Sequence, residues 1–220
     1  MIPIYIIHYP ALTERREYLE PLLPDANWIT DPRREDLTEE VSQEWYLPSE
    51  EAWHHKCTGY YKSEEPFRLQ APGDICCSLG HIRAWEALVD SEADRALFLE
   101  DDVVLCDHFV SHLHVVDKCS PPETDALFIG GGFQHTIAKT KEVKGNYHLK
   151  DHPATNCLCS YILTKQCATQ ILASIKPFTV PIDFELNYWF DKLNLNVFHH
   201  VPYIAAEGTA TGKYKSIQVR

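Results

Sequence analysis

The sequence predicts an α/β protein whose central sheet is mostly parallel and flanked by helices. Short apolar runs that read as buried strands recur along the chain, at Ile2 to Ile7, which is β-branched, Ala96 to Leu99, Ala126 to Ile129 and Cys157 to Leu163. Segments with helical apolar spacing stand between them, and no run approaches the roughly 20 residues that span a bilayer. An alternation of this kind places a ligand crevice at the carboxyl ends of the strands.

The elements follow in order. Ile2 to Ile7 is a strand broken by His8-Tyr9-Pro10, after which Thr13 is placed to cap a helix through Leu22. A short strand near Trp28 to Thr30 stops at Asp31-Pro32. From Arg33 to Pro72 the chain is acidic and rich in aromatic residues and prolines, with one candidate helix at Leu37 to Trp45, and it reads as a loop-rich insert in a single domain spanning residues 1–220. Asp74 then stands as the N-cap of a helix on which Ile75, Leu79, Ile82, Trp85, Leu88 and Val89 recur at helical spacing. Ala96 to Leu99 is the next strand, followed at once by Glu100-Asp101-Asp102 and then Val103-Val104-Leu105. Ala126 to Ile129 runs into Gly130-Gly131-Gly132, Cys157 to Leu163 runs into a helix from Lys165 to Ile175, Asp183 to Leu193 is helical, and Asn196 to Val201 is the last strand-like run.

Composition narrows the function. With 20 Lys and Arg against 32 Asp and Glu, the formal net charge of −12 disfavours nucleic acid and anionic membranes. Met1 to Ile7 lacks the basic start of a signal peptide, so the reading is cytoplasmic. The eight cysteines read as reduced, small core residues: Cys76 and Cys77 are adjacent, no Cys-x2-Cys pair occurs, and His54, His55 and Cys57 have no second half for zinc.

Three adjacent carboxylates at the end of a buried strand repel one another, and a divalent cation would compensate them. Oxygen-only ligands favour Mg²⁺ or Mn²⁺, whose shells are commonly completed by substrate phosphates. A solvated acidic turn is the ordinary explanation of the same residues.

Asp74-Ile75-Cys76-Cys77-Ser78-Leu79-Gly80-His81-Ile82-Arg83-Ala84-Trp85-Glu86, followed by Ala96-Leu97-Phe98-Leu99-Glu100-Asp101-Asp102-Val103, resembles the family 25 glycosyltransferases. These include lipooligosaccharide galactosyltransferases and collagen hydroxylysine galactosyltransferases. The family's helix reads roughly Glu-Ile-Gly-Cys-x-x-Ser-His-x-x-x-Trp and its strand end Leu-Glu-Asp-Asp. Ile4 to Ile7 with Thr13-Glu14-Arg15-Arg16, Leu127 to Gly131, Tyr161 to Thr164, Pro181-Ile182-Asp183, and Glu207-Gly208-Thr209 through Lys215-Ser216-Ile217 are similar to family segments in the same order. The chain departs from the pattern at His8 for Asn, Asp74 for Glu, Cys76 for Gly and Gly80 for Ser.

The resemblance implies a GT-A fold, a UDP-sugar donor and Mn²⁺- or Mg²⁺-dependent transfer of galactose or glucose, with inversion, to a hydroxyl of a glycan or hydroxylysine-type acceptor. Glu100 and Asp102 would approach the metal, while Asp101, pointing the other way along a strand, would touch the donor sugar or support the ligands. Asp183 is the candidate general base and equally a helix cap, with Glu185 as its substitute. His81 would reach the donor or pack inside its helix. Arg15 and Arg16, at a helix start, suit an anion. Tyr9 and Asp31 would hold uracil and ribose. Gly130 and Gly131 allow close approach to a ligand or form a turn, His200 is a candidate third metal ligand or one of a surface histidine pair, and Lys213 would close over the diphosphate or fray with the tail.

Two rival readings stay open. One is a family member without catalysis that acts as a binding module, motivated by Cys76 and Gly80; the other is a metal-dependent phosphohydrolase, for which the sequence supplies no convincing nucleophile pattern.

Overall fold

The computed structural model describes residues 1–60, 66–131, 140–150 and 157–215. Gly132, Ser216 and Ile217 lie outside the described residues. An eight-stranded mixed sheet forms the centre, in the order β2 (Asn27–Ile29), β1 (Ile4–Ile7), β3 (Arg95–Glu100), β9 (Ser160–Thr164), β5 (Ala126–Phe128), β10 (Val197–His200), β8 (Tyr147–Lys150) and β7 (Thr140–Lys144). Six strands point one way, and only β8 and β9 run against them. A second sheet has β11 (Ala205–Glu207) between β4 (Val103–Leu105) and β6 (Gly130–Gly131).

Alternation along the strands divides the core between the two faces. Tyr5, Ile7, Phe98 and Phe128 face α4 (Pro72–Asp90), α6 (Lys165–Leu172) and α7 (Ile182–Lys192). Ile4, Ile6, Leu97, Leu99 and Leu127 face α1 (Thr13–Leu19) and α5 (Phe109–Lys118). On the first face, Tyr5, Phe98, Tyr161, Phe128 and His199 are register partners across five adjacent strands. Their rings stack in a continuous ladder with centroids 5.0–5.7 Å apart. Such cross-strand aromatic pairs fix register as well as burying area.

Local chemistry explains several boundaries. Helix α4 begins at Pro72, whose missing N–H is free at that position; Asp74 lies inside the first turn and accepts the Ala71 N–H at 3.2 Å, rather than standing before the helix. Helix α7 starts at Ile182, so Asp183 is likewise inside the first turn. At Gly80 a Cβ would come within 2.7 Å of Ile7 Cγ2, so this glycine lets α4 lie close on β1. A Cβ at Gly130 would meet Ser160 Cβ at 2.6 Å, so this glycine serves the close approach of two strands.

The insert holds α2 (Glu39–Trp45), capped by the Thr38 hydroxyl, α3 (Glu50–Trp53), capped by Ser49, and a π-helical stretch His54–Tyr60. Among the described residues no disulfide joins the cysteines, and no helix is long and apolar enough to cross a membrane.

Candidate active site

Strand β1 continues through α1 to β2 on one side, while β3 flanks it on the other. The strand order therefore reverses at the carboxyl ends of β1 and β3, the kind of point at which open α/β sheets bind ligands. His8, Tyr9 and the Glu100-Asp101-Asp102 run all lie there.

The pleat sends the first two carboxylates to opposite faces. Asp101 goes to the α1 side, where Arg15 Nη1 donates to Oδ1 at 2.5 Å, His8 Nδ1 lies 2.8 Å from Oδ2, and the Tyr9 N–H donates to Oδ2 at 3.1 Å. The side chains of Asp101, Arg15 and His8 are all buried. Asp101 is thus a joint between β1, α1 and β3, and the Arg15 guanidinium is engaged with it.

Glu100 goes to the α4 side. His81 Nε2 is 3.2 Å from Oε1, Cys77 Sγ is 3.8 Å from the same oxygen, and a quarter of the side chain stays exposed. Asp102 is buried, and its Oδ1 has no hydrogen-bond partner among the described residues. Glu207, at the end of β11, adds a third charge to the same field. Burial, then repulsion from Glu207 and Asp101, pushes the Glu100 carboxyl up to about 7. Burial, then Glu100, pushes Asp102 up to about 8, although Arg15 opposes this. The sequence singled out Glu100 and Asp102 but missed Glu207, whose only signal was its place in the family-like tail.

Behind Glu100, His81 is fully buried, and burial lowers its pKa to about 3. Its Nδ1 meets the Tyr161 hydroxyl at 2.7 Å, and Trp85 Nε1 donates to that hydroxyl at 2.9 Å. A completely buried ring held on both nitrogens does not reach a donor, which corrects that expectation. The Cys77, His81 and Glu100 ligand atoms do lie within 4.8 Å of one another, but both ring nitrogens of His81 are already engaged.

Glu185 is corrected as well. It is fully buried, with Lys56 Nζ at 2.7 and 2.8 Å, the Thr179 N–H at 2.6 Å, the Thr179 hydroxyl at 2.8 Å and the Val180 N–H at 3.2 Å. A carboxylate held this way ties the insert to α7 and is no base. Glu185→Gln is expected to lower stability by about 1–3 kcal/mol in denaturant titration while leaving turnover per folded molecule within about threefold. A collapse of turnover in folded protein would restore it as a base.

Asp183 is half-buried at the amino end of α7, and its Oδ1 accepts the Phe184 N–H at 2.9 Å. Helix α7 runs back toward the amino end of β10, so its own amino end lies at the same rim of the sheet as the acidic group. His200 is not brought to that group. It is buried on β10, with two strands between it and β3, about 14 Å at ordinary strand spacing. Its Nδ1 lies 2.8 Å from the Pro202 carbonyl oxygen and its ring against Tyr147.

The remaining candidates surround the rim. Arg16 is exposed, donates to Glu20 at 2.9 Å and lies over Trp28. The Arg34 guanidinium lies 4.8 Å from the centroid of the Tyr9 ring, in space that Gly73 leaves open, since a Cβ there would meet Arg34 at 2.8 Å. Tyr9 also donates to Glu35 at 3.4 Å, and Asp31 is exposed after β2. The tail passes over this rim: the Gly208 N–H donates to the Asp102 carbonyl at 2.8 Å, Tyr214 stacks on Arg15, and Lys213, exposed, rests its ammonium over Tyr18. Gly131 sits in β6 beside β11.

The model of the family described as glycosyltransferase family 25 (LPS biosynthesis protein) matches residues 1–186. The chain belongs to glycosyltransferase family 25. A glycosyltransferase 25 family member of Drosophila pseudoobscura pseudoobscura is 26% identical over 203 residues, covering 86% of the chain and 30% of that protein. A procollagen lysyl hydroxylase and glycosyltransferase of Acanthamoeba polyphaga mimivirus is 27% identical over 139 residues, covering 56% of the chain and 15% of that protein. The chain thus spans under a third of the length of these curated relatives. Two solved structures are distant likenesses: the galactosyltransferase LgtC in complex with donor and acceptor sugar analogues (TM-score 0.42, 10% identity, 90% of this chain and 73% of that one) and the inositol-1-phosphate CTP transferase of T. maritima (TM-score 0.46, 8% identity, 98% and 92%).

Proposed function

We propose that this glycosyltransferase moves galactose or glucose from a UDP-sugar to a hydroxyl of a glycan or hydroxylysine-type side chain, with inversion, in a reaction that needs Mn²⁺ or Mg²⁺. The observation that carries the reading is the group of Glu100, Asp102 and Glu207 at the switch point. These three carboxylates share one field, no cation of the described residues pairs with Glu100 or Asp102, and Asp102 Oδ1 is buried without a partner. Buried acidic oxygens in this state suit a hard divalent cation. Bound there, the cation would neutralise the diphosphate and stabilise charge on the departing UDP.

The chain's own residues supply the rest. Asp101 and Arg15 hold the strand end, so that Glu100 and Asp102 keep their directions. Tyr9, with Arg34 beside it and Asp31 nearby, would take the uridine. Asp183 would accept the proton of the acceptor hydroxyl. Lys213 would approach the phosphates from the tail.

The binding-module reading loses half of its motive, because the missing Gly80 side chain is accounted for by Ile7. Cys76, half-buried, is nearest in charge to Arg34, Glu35 and Asp31 and not to the carboxylate group.

Calorimetric titration with UDP, with and without Mn²⁺, followed by transfer assays, tests the reading. UDP should bind only with the metal, and Asp183→Asn should bind UDP normally yet transfer about 10²–10⁴-fold more slowly. Absence of UDP binding under both conditions would overturn the donor assignment.

A further inference from the structure

We infer that Tyr161 is a positioning residue that acts through His81: its hydroxyl fixes the imidazole as the tautomer protonated on Nε2, and this N–H orients Glu100 toward a divalent cation. The inference rests on the reading of Glu100 as a cation-holding carboxylate.

Counting donors assigns the protons. The Trp85 indole N–H can only donate, and at 2.9 Å its acceptor is the Tyr161 oxygen. That hydroxyl carries one hydrogen, and its other partner is His81 Nδ1 at 2.7 Å. Trp85, Tyr161 and His81 are all fully buried, so water does not substitute for a missing partner. Were Nδ1 protonated, the Tyr161 oxygen would face two donors and its own hydrogen would have no acceptor among the described residues. The hydroxyl therefore donates to a bare Nδ1, and the ring proton sits on Nε2, which lies 3.2 Å from Glu100 Oε1. Among the described residues Glu100 Oε2 takes no hydrogen bond, so the relay engages one carboxylate oxygen and leaves the other for a ligand.

The relay is anchored on β9, an interior strand of the sheet. Tyr161 is the middle ring of the five-strand ladder, stacked on Phe98 at 5.3 Å and Phe128 at 5.6 Å, so its hydroxyl is placed by β3, β9 and β5 together. His81 and Trp85, on adjacent turns of α4, reach down to the same oxygen. Orientation of a ligating group by such outer partners commonly accounts for 10–100-fold in metal affinity.

The test uses the intact chain with ¹⁵N-labelled histidine, metal-free, with the His81 resonances identified by their loss in His81→Gln. Long-range ¹H–¹⁵N correlation reads the tautomer, and calorimetry with Mn²⁺ alone reads affinity in native protein and in Tyr161→Phe. The expected result is a neutral His81 protonated on Nε2. Tyr161→Phe, folded by circular dichroism, should show a mixed or reversed tautomer and Mn²⁺ affinity lowered about 10–100-fold. A native ring protonated on Nδ1, or on both nitrogens, overturns the inference even if Tyr161→Phe does not fold. A folded Tyr161→Phe that binds Mn²⁺ as tightly as native protein overturns the positioning role. If the native tautomer is as expected but native protein binds no Mn²⁺, the cation reading of Glu100 fails, and the role toward a cation fails with it.

Discussion

Asp102→Ala is expected to abolish Mn²⁺-dependent UDP binding and to slow sugar transfer at least about 10³-fold, equivalent to about 4 kcal/mol of transition-state stabilisation. The same substitution should make the metal-free protein more stable, because it removes a buried carboxylate whose Oδ1 has no partner among the described residues and which shares a field with Glu100 and Glu207. The sign of the pH dependence follows from the raised values. Folded Glu100 and Asp102 hold protons up to about 7 and about 8, whereas in the unfolded chain they release them near 4.5 and 3.8. Between those limits the folded state binds more protons than the unfolded state, so stability falls as pH rises. Metal-free native protein should thus melt at progressively lower temperature from pH 5 to pH 8, Asp102→Ala should flatten that slope, and excess Mn²⁺ should raise the native melting temperature most at the alkaline end. Unchanged melting with Mn²⁺ at pH 8 would remove these carboxylates as a cation site.

Asp101→Ala should act in the opposite sense, breaking the fold rather than the chemistry. It leaves Arg15 and His8, with side chains 6% and 1% exposed, around an empty position. Removing one partner of a buried ion pair costs about 3–5 kcal/mol. For a chain of this size, that lowers the melting temperature by about 6–20 °C. The double variant Asp101→Ala with Arg15→Met should recover part of the loss, because the uncompensated cation goes with its partner. Residual folded Asp101→Ala at low temperature should still bind UDP with Mn²⁺. Selective loss of that binding in a protein of native stability would make Asp101 a ligand contact after all.

What the sequence made legible depended on how far each signal reaches. Strands β1, β3, β5, β9 and β10 and helices α4, α6 and α7 carry continuous or periodic apolar runs, which report burial directly. Glu100 and Asp102 stood out because three acids in succession at a buried strand end are costly wherever they fold. The β7–β8 hairpin was not read, since Thr140–Lys144 is a mostly exposed edge with little apolar pattern. Strand β11 has three residues, and its pairings with β4 and β6, a hundred and some seventy-five positions away, make it a strand, that with β4 setting Glu207 opposite Val103. Glu185 and His200 misled for a related reason. A polar residue in an apolar element suggests chemistry until its partner is known, and the partners are Lys56, from an insert without recognisable pattern, and the Pro202 carbonyl.

The small sheet bears on how the protein is made. Its central strand, β11, is the last of the three in the chain, so β4 and β6 have no partner in that sheet until residues 205–207 arrive. A ribosome-bound chain that stops short of residue 205 already contains Glu100, Asp102 and Asp101 with its arginine, but lacks Glu207 and the Gly208 contact to the Asp102 carbonyl. The three carboxylates are thus brought together only after residues 205–207 have been made, through pairings of high contact order that form slowly. Until then the β4 edge stands open to other strands, and chaperone dependence and losses to aggregation should concentrate in that interval.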